Sequence, residues 1–132
     1  MEIISSQEFA NEWVEAWNSH DIDKILAHYA DDFEMTSPII NVIENEPKGK
    51  LIGKTAVRRY WEKALALNPD LHFDIIAVFS GVESVVIHYQ GHRGLSAEVF
   101  HFGDDGKVIK SYAHYSQCEE VLLSKIRGKE GI

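Results

Sequence analysis

Cysteine occurs once in the 132 residues, as Cys118, so no disulfide can form within the chain and nothing calls for an oxidising compartment. Positive charge is also scarce: 13 Lys and Arg stand against 21 Asp and Glu, a net charge of −8. Nucleic acid requires a basic footprint and is excluded as an expected partner; a neutral or cationic ligand is weakly favoured. No apolar run approaches the ~20 residues of a membrane span. The Met1-Glu2-Ile3-Ile4-Ser5-Ser6 start lacks the basic region and long apolar core of a signal peptide, so a cytoplasmic protein is expected, with no membrane partner.

Several catalytic signatures are missing too. Gly49 to Thr55 imitates a phosphate-binding loop, but with three residues between its glycines where the motif needs four, and with no buried strand feeding it. There is no Gly-x-Ser-x-Gly elbow, and Cys118 has no evident basic partner, so covalent catalysis is not expected. Seven histidines raise the question of a metal. His88 and His92, four apart, straddle a strand end and a hairpin, and no HExxH or paired-carboxylate pattern accompanies them. No metal and no cofactor are expected.

What remains is a composition of 45% hydrophobic and 26% charged residues, that of one globular domain over 1–132 with a single core. Ser5 and Glu8 have capping-box spacing, and Phe9, Trp13, Ala16 and Trp17 form one helical stripe that Asn18-Ser19-His20 ends. Asp21 reads as a second N-cap, with Ile22, Ile25, Leu26 and Tyr29 as the stripe of a short helix. Residues 33–37 alternate as a strand, Pro38 keeps Ser37 extended, and 38–54 read as a long irregular rim. Thr55 to Leu67 is a third helix with Val57, Tyr60, Trp61, Ala64 and Leu65 inward, ended by Asn68-Pro69-Asp70.

Four strands follow: Leu71 to Ser80, Val82 to Gln90, Leu95 to Phe102 and Val108 to Ser116, joined by glycine-bearing turns. The tail 117–132 carries an expected helical turn at Val121-Leu122-Leu123. Helices first and antiparallel strands after predict an α+β fold, with helices on one face of a curved sheet. In the last strand Lys110 shares a side with Tyr112 and His114, so Ile109, Ser111, Ala113 and Tyr115 are predicted to face inward. Ser111 and Ala113 are small, and opposite large helical aromatics they leave room for a cavity.

Glu98 is the most informative residue. Residues two apart in a strand share a side, so it points with Phe100 and Phe102 into the apolar face. A carboxylate there must be protonated, paired or hydrogen-bonded. It reads either as an acid–base group with a raised pKa, or as a structural glutamate held by Arg93, His88 or a tyrosine of the neighbouring strand. Trp13, Trp17, Tyr60 and Trp61 either wall in a flat ligand or are simply core. Tyr60 and Tyr115 bring hydroxyls that bond a ligand or satisfy Glu98.

The stretches Trp13–Asp21, His28–Phe33, Gly53–Tyr60 and Glu98–Lys107 resemble the nuclear-transport-factor-2-like superfamily, and within it the SnoaL-like proteins, over about residues 6 to 116. The resemblance implies a cystatin-like or nuclear-transport-factor-2-like cone: three N-terminal helices on a strongly curved mixed sheet enclosing an apolar pocket, commonly as a homodimer. It identifies the fold better than the activity, because one scaffold serves many chemistries. Against the more distant ketosteroid isomerases, the general-base aspartate falls on Ser37, the oxyanion tyrosine on Trp13, its supporting tyrosine on Tyr60 and the protonated aspartate on Glu98. Serine is no unassisted base and an indole is a weaker donor than a phenol, so ketosteroid isomerisation is disfavoured.

Two functions are therefore expected. One is a cofactor-independent isomerase, cyclase or dehydratase acting on a small, partly apolar molecule. In it Glu98 moves or donates the proton, Tyr115, Tyr60 and Ser37 orient the substrate, and Trp13, Trp17, Met35 and Phe100 form the walls, with Ser111 and Ala113 lining the last strand. The other is a non-catalytic binding module using the same pocket or only a dimer face. Val99, His101, Tyr112 and His114 mark the sheet's outer side as that face.

Overall fold

The computed structural model describes residues 5–44, 46–92 and 94–116, the side chains of Val42 and Ile43 excepted. Arg93, Cys118 and the expected turn at 121–123 lie outside the described residues. The element order is α1 (Ser6–Ser19), α2 (Ile22–Leu26), β1 (Tyr29–Thr36), α3 (Pro38–Ile43), β2 (Lys50–Ile52), α4 (Lys54–Leu67), β3 (Asp74–Gly81), β4 (Ser84–Gly91), β5 (Gly94–Phe102) and β6 (Val108–Tyr115). The strands form one mixed sheet in the order β2-β1-β6-β5-β4-β3, with β1 and β6 parallel and the other neighbours antiparallel. The fold is α+β.

Helix α1 forms for the reasons its sequence carries. The Ser5 Oγ accepts from the Glu8 N–H at 3.1 Å and the Glu8 carboxylate accepts from the Ser5 N–H at 3.0 Å, closing the box. Its buried stripe of Phe9, Trp13 and Trp17 lies against the sheet. Phe9 meets Phe100 and Phe102 edge-on at 5.0 and 4.9 Å, and Trp13 stacks on Phe73 at 5.5 Å. Such ring pairs contribute about 0.5–1.5 kcal/mol each beyond their burial. His20 ends the helix in the left-handed region with φ 61°.

The end of α1 also fixes the approach to β3. Asn18 donates to the Phe73 carbonyl at 3.0 Å and accepts from the Phe73 N–H at 2.8 Å, as a neighbouring strand would. His20 Nε2 donates to the Leu71 carbonyl at 2.8 Å. Leu71 and Phe73 are thereby held in the interior before the strand begins.

Four departures from the sequence reading have local causes. Tyr29 opens β1 rather than closing the second helix, because α2 stops at Leu26 and the His28 carbonyl already accepts from Val108 N–H at 2.9 Å. The irregular rim contains α3 and the short β2, so the described residues hold four helices. Ser37 caps α3 and Pro38 occupies its first turn, where the missing N–H costs nothing. Gly49 is required beside it: with φ +64°, a Cβ there would meet the Ser37 carbonyl at 2.9 Å.

The other two departures are bulges. The β3–β4 register slips between Ile75 and Ala77, so Val78, opposite Ile87, packs against the core in place of Ala77, which the alternation through Phe73 and Ile75 predicts to face inward. The β5–β6 register slips between His101 and Phe102, which puts Val108 inward and leaves Ile109 on the exposed side. Ile109 therefore does not face the core as its alternation predicts, whereas Ser111 and Ala113 do. A bulge adds one residue on one strand, and parity inverts across it.

Candidate functional site

Cross-strand register assembles the inner face of the sheet. Ser96 lies opposite Tyr89 and Tyr115, and Glu98 opposite Ile87 and Ala113. Above that face, α1 presents Trp13 and Trp17, α4 presents Tyr60 and Trp61, and the segment before β3 presents Phe73. Between the layers is a cavity of about 150 Å³. A space of that size admits a molecule of about one six-membered ring.

Its walls are chiefly aromatic: Trp13 and Trp17 from α1, Tyr60 and Trp61 from α4, Phe73 from the segment before β3, and Tyr89 and Tyr115 from the sheet. Met35, Ser37, Ser96 and Glu98 complete the interior, and Lys63, Leu67, Asn68 and His92 stand towards the mouth. Leu67 is 72% exposed at that mouth, whereas Trp13 is 2% and Glu98 5% exposed. The cavity therefore opens to solvent beside the end of α4 and the β4–β5 turn.

Glu98 is the sole Asp or Glu among the lining residues. Burial pushes its pKa up from 4.5 to about 7, and the Tyr89 hydroxyl, donating to Oε1 at 3.2 Å, partly offsets that rise. The carboxyl is thus poised to hold or release a proton near neutrality. Tyr89 is itself raised well above the usual phenol value, first by burial and then by the Glu98 charge, and so stays a neutral donor. Tyr29, behind the cavity, is raised for the same two reasons. Trp13 Nε1 donates to the Tyr29 hydroxyl at 3.1 Å, which locks the indole that forms the inner wall.

The structure brings together Glu98, Tyr115, Tyr60, Ser37, Trp13, Trp17 and Met35 on one cavity. It places Phe100, Ser111 and Ala113 elsewhere, in the packed layer of the sheet. The Phe100 ring packs against Phe9 and Trp13, and the Ser111 hydroxyl donates to Met35 Sδ at 3.0 Å. Ser37 touches the cavity, but its Oγ accepts the Ile39 N–H at 3.1 Å as the cap of α3. The Trp17 indole N–H is buried with no acceptor among the described residues. Among those residues no group of three His, Cys, Asp or Glu side chains could hold a metal ion.

Sequence reasoning left Tyr89 unnamed except as a tyrosine of the strand beside Glu98, and it omitted Phe73. Tyr89 could have been found by pairing the strands through the Gly91–Gly94 turn, which sets Ile87 opposite Glu98 and Tyr89 two residues further along the same face. For Phe73 alternation gives only the inward face; its place on the cavity wall is set by Asn18, a contact 55 residues distant in sequence.

Comparison with known proteins identifies the family and agrees with the fold. The SnoaL-like domain family matches over residues 10–111. A SnoaL-like protein of unknown function from Burkholderia thailandensis E264 is 56% identical, with a TM-score of 0.83, over 84% of this chain and 93% of its own. An NTF2-like protein of unknown function from Cytophaga hutchinsonii is 12% identical, with a TM-score of 0.68, over 91% of this chain and 97% of its own. A protein with a ketosteroid isomerase-like fold from Catenulispora acidiphila, solved in complex with trimethylamine, is 16% identical, with a TM-score of 0.66, over 85% and 88% of the two chains. No curated protein matches.

Proposed function

The chain belongs to the SnoaL-like domain family, and within it we propose a small-molecule enzyme without a cofactor, an isomerase, cyclase or dehydratase in which Glu98 carries the proton. The observation that carries this reading is Glu98, the one carboxyl that the described residues place on the cavity wall, 5% exposed and with its pKa raised by burial to about 7. A carboxylate in the usual range is a weak base at neutral pH. One raised to neutrality takes a proton from a carbon or oxygen acid and returns it to a second position of the same substrate. Tyr115 and Tyr60 supply hydroxyls along the wall, and Trp13, Trp17 and Met35 exclude water around the reacting group.

Titration of the Glu98 side-chain carbon by NMR tests the reading. A midpoint near 7 that moves when a ligand enters supports it; a midpoint near 4.5, insensitive to every ligand, refutes it.

A second reading has its own support. Ser37 is engaged as a helix cap and no second carboxylate among the described residues lines the cavity, so the same site serves equally as a non-catalytic binding pocket. Turnover in wild type and Glu98→Gln separates the two, because a binder forms no product in either protein, whereas an enzyme forms product that the variant loses.

The outer face of the sheet supports a homodimer. Phe79, Val86, Val99 and Tyr112 fall in one cross-strand row on that side, with Phe79 56% exposed and the His101 ring edge-on to Tyr112 at 5.9 Å. No helix among the described residues is long and apolar enough to cross a membrane. A single cysteine fits a reducing, cytoplasmic setting.

A further inference from the structure

We propose that the molecule this cavity takes is a small alkylammonium cation, its charge set against Glu98 and its alkyl groups against the surrounding rings. The inference rests on the cavity's being the functional site, and it holds whether or not Glu98 moves a proton.

Three observations converge on a positive charge. Among the described residues Glu98 is the one acid on the wall, and it has no cationic partner there. Lys63, at the mouth, has its ammonium 3.1 Å from Glu44 on the rim, and His92 is exposed. The partner Glu98 does have, Tyr89 at 3.2 Å, is a neutral donor. A buried carboxylate with no counter-ion is costly, and a ligand that brings the charge removes that cost.

The walls are the second observation. Aromatic faces attract cations through their quadrupole, most strongly where water is excluded, and Trp13, Trp17 and Trp61 are each 6% exposed or less. A neutral hydrocarbon would satisfy those walls but leave the carboxyl as it is. An anion would be repelled by it. Third, the chain's net charge of −8 raises the local concentration of cations. At about 150 Å³ the space suits a trimethylammonium group rather than a large amphiphile.

The decisive probes are choline and 3,3-dimethylbutan-1-ol, which share a shape and differ by the charge. Their affinities are measured by calorimetry on the full chain from pH 5.5 to 8.5. The groups that face Glu98 are Tyr89 on β4, Tyr115 on β6, Tyr29 on β1 and Tyr60 on α4, with Lys63 and His92 at the mouth.

The expected result is a choline affinity at pH 8.5 at least tenfold above that of the alcohol, falling several-fold to tenfold by pH 5.5 as Glu98 takes up its proton. The alcohol's affinity should stay level or rise over the same interval. In Glu98→Gln the preference for choline should disappear and alcohol binding persist; should that variant not fold, the wild-type pH series decides. Equal affinities, a preference for the alcohol, or no choline binding overturns the proposal. So does a pH response that vanishes in His92→Asn. The NMR midpoint of Glu98 is read in the same samples: a midpoint near 7 without choline binding refutes the ligand class alone, whereas a midpoint near 4.5 refutes the proton-transfer reading whatever binds.

Discussion

Replacing Glu98 by glutamine should make the protein more stable above pH 4.5, by a margin that grows up to about pH 7 and then levels off. In the unfolded chain the carboxyl titrates at its ordinary value of 4.5; in the folded one burial raises it to about 7. Below 4.5 it is protonated in both states, and the stability it allows is fully present. As the pH rises through 7 that stability is lost, because the unfolded chain holds the ionised form more readily than the interior does. A displacement of roughly 2.5 pKa units corresponds to about 3 kcal/mol at pH 8.5 or above.

Glutamine keeps the shape and never ionises, so it escapes this loss. For a chain of this length, about 3 kcal/mol is roughly 10 °C in melting temperature. The assay is thermal unfolding of both proteins from pH 4.5 to 9. The other Asp and Glu residues are common to both, so the difference in melting temperature isolates Glu98. That difference should start from a small constant offset near pH 4.5, grow through pH 7 and level off about 10 °C in the variant's favour. A difference that stays flat across the range would falsify the assignment of a raised pKa to this carboxyl, and with it the acid–base role.

Three further outcomes are expected. Tyr89→Phe removes the hydroxyl that donates to Glu98 and should move the NMR midpoint of Glu98 further up; an unchanged or lower midpoint contradicts the 3.2 Å hydrogen bond. Ser37→Ala removes the cap of α3 and should cost about 1 kcal/mol in denaturant unfolding, with the Glu98 midpoint unmoved. Phe79→Glu puts a charge on the outer row of the sheet and should yield a monomer in sedimentation with the cavity's ligand affinities retained; an unchanged oligomeric state rules that row out as the interface.

The elements most legible in the sequence were those whose signals are local. The α1 stripe and its Ser5–Glu8 box specify a helix without help from the rest of the chain, and the alternation around Glu98 is enough to turn it inward. Parity names a face, however, and not a position along it. Phe100, Ser111 and Ala113 share the inner face with Glu98, yet they lie where the layers close, while Ser96 and Tyr115 lie where the layers stand apart.

Parity also fails across a bulge, which is why Ile109 and Val108 exchange places. The helix α3 was hidden for a different reason. Six residues are too few to show a period, and its one local cue, a serine N-cap followed by proline at the first position, reads equally well as an extended dipeptide. Alternation with Ile75 turns Phe73 inward, but its place on the cavity wall depends on Asn18.

The parallel pairing of β1 with β6 sets the order in which the molecule can be completed. Met35 is bonded alongside Ser111, so the first strand of the sheet waits for the last. The meander from β3 to β6 closes through short turns, whereas docking β1 requires ordering a loop of more than seventy residues. On a ribosome, β1 and β2 would emerge early and remain without their place in the sheet until residue 115 had left the exit tunnel. Maturation of the cavity, whose wall includes Met35 and Ser37 at the end of β1, is thereby tied to the arrival of β6.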